Sequence, residues 1–484
     1  MKNLTLTLLC LLLPAVAGHT SAQTVKSSYD TNAKEAPPVR YPAATMAELA
    51  AVRDAALSDD YAWHELAHLT ENIGPRPTGS AQAEAAAQYV AAEMRKLGLE
   101  VRLEETRVPR WIRRAETAEL VEYPGQVPGT TQKVLLTALG GNVPTPADGI
   151  TAEVVVASSF DELKAMGRER VAGKIVLWNV PFDTRKAAAG ESGSAYGEAV
   201  AYRGNGAKRA AELGAVASLV RSVGGADFRI PHTGYSQPAG IASGAVTAED
   251  AETIAHLAAQ GAVRMHLVLL SQNEGDVVSH NVVADLKGSE HPEQVVIVSG
   301  HLDSWDLGTG AIDDAAGVVV AMEAAEIVQR LHLHPRRTLR VIAWMDEENG
   351  GRGHDDYAVA HKNEFADHVA AIESDLGAEH PLGFNAKATA AALALLAPVQ
   401  EVLRPIGANL MRPTPNSPGA DISPLGNAGV PTFGVWQNGL TYFNYHHTAA
   451  DTLDKVDPKE LQENAAAMAV LGYALVAIPE ALPR

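Results

Sequence analysis

The stretch VVIVSGHLDSWDLGTGAIDDAAG, residues 295–317, decides the fold. Its first four residues, VVIV (295–298), form an unbroken apolar run rather than an alternating one. Continuous apolarity marks a strand covered on both faces, as in a parallel sheet. The run stops abruptly at Ser299, Gly300, His301, Leu302 and Asp303, and acids return at Asp313 and Asp314. Three later runs repeat this design. LRVIAW (339–344) leads into Asp346, Glu347 and Glu348; VAAI (369–372) leads into Glu373 and Asp375; TFGV (432–435) precedes a loop with His446 and His447. Helical patterns separate the runs, so the expected class is α/β, with a mixed, largely parallel central sheet flanked by helices. Ligands of such sheets bind outside the carboxyl ends of the strands. Four segments therefore deliver imidazole and carboxylate to one edge.

The donors are His, Asp and Glu, a set that suits a borderline divalent ion such as zinc. The chain has one cysteine, Cys10, which excludes a thiolate zinc site and a disulfide framework. A carboxylate between two ions can bridge them, and the loop 310–317 offers Asp313 with small neighbours that let the backbone come close. Successive side chains at a strand end diverge. Of Glu347 and Glu348, one can hold a metal while the other faces the substrate as a base.

Length and composition set the frame. The 484 residues suit two or three domains, and 46% hydrophobic with 20% charged residues allows a large core and excludes wholesale disorder. Acids outnumber Lys and Arg by 58 to 39, a net charge of -19, so nucleic acid and anionic lipid are disfavoured partners. Residues 1–22 read as a signal peptide: Lys2, an apolar run from Leu4 to Leu13, then small residues, with cleavage after Ala17 or Ala22. An uncleaved anchor is the alternative, but the run falls short of the ~20 residues a bilayer span needs. The expected location is secreted or periplasmic, with no stable membrane insertion once the signal is removed. The apolar stretch 465–479 is expected to be a buried C-terminal helix. A helix opens near Ser80 and stops at Gly98, followed by a strand over 101–108. Between about 115 and 275, short β-rich runs such as KVLL (133–136), EVVV (153–156) and KIVLW (174–178) alternate with turns, and AKRAAEL (207–213) is helical. The expected division is 23–115 for the N-terminal segment and first part of the catalytic domain, 116–278 for a β-rich insert, and 279–484 for the main catalytic part.

Together, GHLDSWDLGTGAIDDAAG (300–317), DEENGG (346–351), ESDLG (373–377) and HHTAADT (446–452) resemble the secreted two-zinc exopeptidases, the zinc aminopeptidases and glutamate carboxypeptidase relatives. HLDSWD with GAIDD and ESD is most similar to the carboxypeptidase Q branch. The likeness covers residues 60–115 and 279–460, and VAGKIVLWN (171–179) with GAKRAAELGAVASLV (206–220) resembles an inserted protease-associated domain. The resemblance implies the zinc exopeptidase fold, two Zn2+ ions per chain, a peptide substrate and a homodimer. The implied reaction is hydrolysis of the terminal bond of short peptides or dipeptides, of aminopeptidase or dipeptidase type.

At matching positions the resemblance implies that Asp313 bridges two ions. His301 and Asp375 would complete one site, and Glu348 and His447 the other, since the H-T-x-x-D-T pattern selects His447 over His446. Glu347 would be the general base. The Asp303 carboxylate would accept the second ring N–H of His301, and a strained peptide would follow Asp313. His446 or Tyr442 either polarises the substrate carbonyl or faces solvent. Asp421 matches a family position near the pocket, Glu373 is expected to be structural, and Trp305 and Asp306 either line the pocket or brace their loop. Two alternatives stay open. One is cleavage in the carboxypeptidase direction, for which Arg352 is a candidate cation. The other is an inactive receptor or scaffold of the same fold, against which the full ligand set argues. The Gly-rich stretches 189–197 and 232–244 are expected to be loops that close over the pocket.

Overall fold

In the computed structural model, which describes residues 39–226 and 228–484, the four apolar runs are neighbouring strands of one sheet. They run Arg337–Trp344, His291–His301, His368–Glu373 and Thr432–Gln437 across the sheet, all parallel. Gln272–Leu286 and Glu100–Ile112 extend it antiparallel on one side. Pro381–Lys387, antiparallel, and Leu410–Pro413 extend it on the other. The eight-stranded sheet is thus mixed, with a parallel centre, as expected.

The unbroken apolar runs have a simple cause. Side chains alternate across a strand, and here both faces are covered. Val296 and Val298 enter a core shared with the helices Ala43–Ala56, Ala81–Lys96, Ala316–Arg330 and Pro458–Ala477. Val295 and Ile297 enter a second core with Trp344, Tyr357 and Leu425 on the opposite face. The strand ends are level, because His301 pairs with Trp344 and Ser299 with Glu373. Helix Ala81–Lys96 begins where expected: the Ser80 hydroxyl accepts the Ala83 N–H at 3.0 Å. The stretch 465–479 falls largely within the buried helix Pro458–Ala477. Among the described residues no helix is long and apolar enough to cross a membrane. The expected signal peptide lies outside the described residues.

A second eight-stranded sheet draws every strand from between Glu116 and Leu269. Two expectations need correction here. The strand Gln272–Leu286 pairs from Gln272 onward with Glu100–Ile112, so the chain has returned to the first sheet before residue 278. Its opening residues, Gln272, Asn273, Glu274, Gly275 and Asp276, are polar and exposed and read as a turn. The stretch 189–197 is not a loop: it spans the end of the helical turn Ala187–Glu191 and the start of the helix Ser192–Glu212. Glycine weakens a helix by about 1 kcal/mol relative to alanine, which hides this one. Tertiary contact repays it at Gly206, where a Cβ would lie 2.5 Å from the Trp178 indole nitrogen.

The centre of the first sheet meets its antiparallel wing at a buried ion pair. Asp285 and Arg340 face each other across the two strands. Arg340 Nε–H donates to Asp285 Oδ1 at 2.6 Å and Nη2–H to Oδ2 at 2.9 Å. Arg102 on the next strand adds a bond to Oδ2 at 3.1 Å. Burial alone would raise the Asp285 pKa, but the guanidinium groups outweigh it and hold the carboxyl well below its usual range. Its stabilisation is complete above the unfolded pKa near ~4 and is lost as pH falls through the depressed folded value. Asp285→Asn should therefore cost about 3–5 kcal/mol at pH 7, measured by denaturant unfolding, with the gap to wild type narrowing below about pH 4. An equal gap at pH 7 and pH 3 would contradict this account.

Candidate metal centre

The strand ends place their polar residues in contact. His301 Nε2 lies 3.1 Å from Asp313 Oδ1 and 3.3 Å from Asp375 Oδ1. His447 Nε2 lies 3.1 Å from Asp313 Oδ2 and 3.0 Å from Glu348 Oε2. The two oxygens of one carboxylate thus face two donor sets, His301–Asp313–Asp375 and Asp313–Glu348–His447, each with ligand atoms within 4.8 Å of one another. The peptide joining Asp313 and Asp314 is cis. Asp314 turns away, accepting the His301 N–H and the Gly317 N–H, each at 3.0 Å. Glu347 lines the same cavity of about 410 Å3, together with Tyr442, His446 and Tyr235.

Backbone geometry is special at two of these turns. Asp346 (φ 75) and His447 (φ 58) are non-glycine residues in the left-handed region. Such residues persist only where surrounding contacts hold them. Asp303 supplies one hold, and not the expected one. The main-chain carbonyl of Asp303, not its carboxylate, faces His301 Nδ1 at 2.9 Å; the carboxylate stands 3.9 Å away. That carboxylate accepts instead the N–H groups of Asp346 (2.8 Å), Glu347 (3.2 Å) and Glu348 (3.4 Å) and the Thr78 hydroxyl (2.6 Å). It fixes the turn that carries Glu347 and Glu348.

The loop between His301 and Asp313 is pinned from both sides. Arg76, wholly buried, donates to the carbonyls of Leu302 (2.7 Å), Thr309 (2.7 Å) and Gly310 (2.8 Å). Burial lowers its pKa to about 10, so it stays charged at neutral pH. Asp451 Oδ1 accepts the N–H groups of Ala311 (2.7 Å) and Ile312 (2.8 Å). Trp305 and Asp306 brace the loop: Trp305 Nε1–H donates to Glu348 Oε2 at 2.5 Å, and Asp306 pairs with Arg113 at 2.8 Å.

Other expected residues fall differently. His446 is buried, with Nε2 3.4 Å from Asp313 Oδ2, farther than His447. Tyr442 is buried in the cavity wall rather than exposed. Asp421 does not line the cavity; its Oδ1 is taken by His354 Nδ1 at 2.8 Å. Glu373 is structural, accepting the N–H of Ile422 at 3.0 Å. Arg352 is tied to Asp276 at 2.5 Å on the surface, away from the cavity. Three residues that the sequence reading missed reach the site from the second sheet's connections. His232 Nε2 is 3.2 Å from His446 Nδ1, Arg203 Nη1 is 3.1 Å from His447 Nδ1, and Thr233 also touches His447. His232 and Thr233 open the Gly-rich stretch 232–244 that was expected over the pocket, although no role was assigned to either side chain, and Arg203 carried no signal.

Electrostatics show what this cluster suits. Burial and the nearby carboxylates Asp375 and Glu348 push Glu347 well above its usual range, and burial pushes Glu348 to about 7. Burial also acts on Asp313, but the imidazoles of His446, His301 and His447 overcome it and hold the carboxyl well below its ordinary value. Burial opposes charge on His447, yet Glu348 and Asp313 raise it to about 9. Crowded buried acids that recruit protons onto themselves and their histidines are what bound cations relieve.

Comparison with known proteins agrees with this geometry. The profile of peptidase family M28 matches residues 281–472. Human carboxypeptidase Q is 37% identical over 428 residues, which span 87% of this chain and 86% of its own length. The chain belongs to peptidase family M28. It is a hydrolase, a zinc metallo-exopeptidase. The crystal structure of an M28 peptidase precursor from Shewanella amazonensis SB2B matches with a TM-score of 0.85 at 32% identity, covering 91% of this chain and 98% of that one. A zinc aminopeptidase from Bacillus subtilis shares the fold, with a TM-score of 0.63 at 21% identity over 86% of this chain and 95% of its own.

In this M28 peptidase, helix Ala316–Arg330 starts against the next strand's end. A Cβ on Gly317 would lie 2.0 Å from the Ser374 carbonyl oxygen and 2.3 Å from Asp314 Oδ2. Gly317→Ala should force the helix outward, separating Asp313 from Asp375. The expected result is a loss of about 2 kcal/mol in unfolding free energy and a fall in retained zinc after dialysis, read by elemental analysis. Wild-type values for both would show that the close approach is not needed.

Proposed function

We propose that this M28 peptidase is a secreted two-zinc exopeptidase that hydrolyses the terminal bond of short peptides or dipeptides, of aminopeptidase or dipeptidase type. One observation carries the reading: each oxygen of Asp313 meets its own imidazole, with a further carboxylate beside each. The donors suit zinc, with two imidazoles, three carboxylates and no thiolate. Glu348 Oε1 is buried with no partner among the described residues, a free donor atom where an ion needs one. Asp313 would be shared, His301 and Asp375 would hold one ion, and Glu348 and His447 the other. Secretion rests on residues 1–22.

Zinc supplies Lewis acidity there, polarising a peptide carbonyl and making water a nucleophile near neutral pH. The chain's own groups do the rest. Glu347, beside Glu348 on the cavity wall, takes the proton of the attacking water and passes it to the leaving amine. Tyr442 and His446 line the same cavity and offer hydrogen bonds to the substrate carbonyl. Cys-free, with all five ligand positions and the base present, the site gives no support to an inactive scaffold. A second chamber of about 120 Å3 shares Leu376, Tyr442 and Phe443 with the reaction cavity. Arg412 lines it, stacked over Trp436 at 4.1 Å and tethered through Nε to Asn385 at 2.7 Å. Arg412 in this chamber, with Arg203 on the wall of the reaction cavity, is a better-placed cation for a substrate carboxylate than Arg352.

Glu347→Gln should keep its zinc by elemental analysis and lose about 10²–10⁴-fold in kcat. Normal turnover would remove Glu347 from the mechanism. His447→Ala should lose one of two zinc equivalents. A panel of dipeptides blocked at either end, with products resolved by chromatography, fixes the direction of attack. A C-terminal amide is expected to react more slowly than the free acid.

A further inference from the structure

A histidine that binds a metal through one nitrogen needs a partner on the other, which sets its tautomer and its orientation. His301 finds that partner locally, in the Asp303 carbonyl. His447 does not. Its Nδ1 lies 3.1 Å from Arg203 Nη1 and 3.3 Å from the carbonyl of Thr233, a residue 214 positions earlier in the chain; the guanidinium only donates, so the carbonyl is the group that accepts an Nδ1–H. The same two residues are joined a second time, because the Thr233 N–H donates to the His447 carbonyl at 2.9 Å. His447 is one of the two left-handed residues at the site and needs external support. Thr233 provides it through both main-chain groups.

Thr233 is itself held on its side chain. It is wholly buried, and its hydroxyl donates to the Ala138 carbonyl at 2.9 Å and accepts Arg113 Nη2–H at 3.1 Å. Arg113 grips Asp306 through Nε and Nη2, each at 2.8 Å, and also reaches the Ala138 carbonyl at 2.9 Å. Asp306 lies in the loop that follows His301. The second sheet's connections therefore clamp His447 to the loop that carries the other half of the site. Arg203 crowds the same point, 3.4 Å from the Thr233 carbonyl. At Gly234 a Cβ would lie 2.3 Å from that guanidinium.

We infer that Thr233 is the positioning residue for His447, so that the segment between the strands Glu100–Ile112 and Gln272–Leu286 completes one metal position and not the other. This rests on the two-zinc reading above. A merely structural Thr233 would weaken both positions alike, whereas a positioning one acts only through His447. The test is stepwise zinc binding to the metal-free full-length protein, in competition with a chromophoric chelator. Thr233→Val keeps the shape and removes the hydroxyl. It is expected to weaken one zinc equivalent by about 10–100-fold and leave the other unchanged. Thr233→Ser should restore both. The cobalt-substituted protein should lose the absorption of one site only. Arg113→Lys, which removes the donor to the Thr233 hydroxyl, should give the same one-site pattern if Thr233→Val does not fold. Equal binding of both equivalents, or equal weakening of both, overturns the inference. His447→Ala measured alongside separates the two claims. If it removes one equivalent while Thr233→Val weakens none, only the positioning role fails. If His447→Ala removes none, the two-zinc reading fails and takes this inference with it.

Discussion

One carboxylate with an imidazole against each of its oxygens is the constraint on which this structure turns. Asp313 cannot occupy that place unless three strand ends and the segment carrying His447 meet it within a few ångströms. The parallel sheet makes this meeting cheap in chain length, because its strands finish level and deliver His301, Glu348 and Asp375 to one edge. Asp313 then has to be lowered onto that edge from the non-helical turn just before the helix Ala316–Arg330. The glycines at 300 and 317 allow the approach: a Cβ at either would lie within 2.6 Å of the opposing segment. The rest of the machinery keeps the loops from relaxing. Arg76 binds three carbonyls of one, Asp451 caps it, and Asp303 caps the turn after Trp344.

This division of labour explains how much could be read from the chain. The four central strands were legible because both of their faces are buried, so their residues stay apolar without alternation. The ligands were legible because they interrupt those runs at the carboxyl ends, where polar residues have no packing reason to be. Residues such as His301 and Asp375 are therefore conspicuous against their own neighbours. The antiparallel wing was harder. Gln272–Leu286 begins exposed and polar, held by backbone pairing and by surface ion pairs such as Arg110 with Glu274, neither of which leaves an apolar pattern to read. The helix Ser192–Glu212 was masked by its glycines, of which Gly206 makes room for Trp178.

Asp303 shows a different limit. Its neighbourhood was correct and its bond was not. A residue two places after a histidine on a strand end can offer that ring either its carboxylate or its carbonyl, and composition does not distinguish them. The carbonyl was closer, at 2.9 Å against 3.9 Å. Freed from the ring, the carboxylate collected four donors, a better use of a buried charge than a single imidazole. Asp421 lies near the other acids, with one oxygen taken by His354.

The residues that no local pattern could reveal share a geometry. Thr233, Arg203 and His232 act on His447 and His446 across more than two hundred positions of sequence. Two of their key contacts run through main-chain groups, which every residue type possesses. Long-range support of this kind is chosen by the fold, and a sequence can only permit it. That gives the region between the strands Glu100–Ile112 and Gln272–Leu286 a physical reason to stay. A helical excursion of similar length could cover the cavity as well, but it would spend its carbonyls and N–H groups internally. A loop between strands keeps them free. At 232–236 the chain has both an N–H and a carbonyl to give, and the left-handed turn at His447 is the place that takes both.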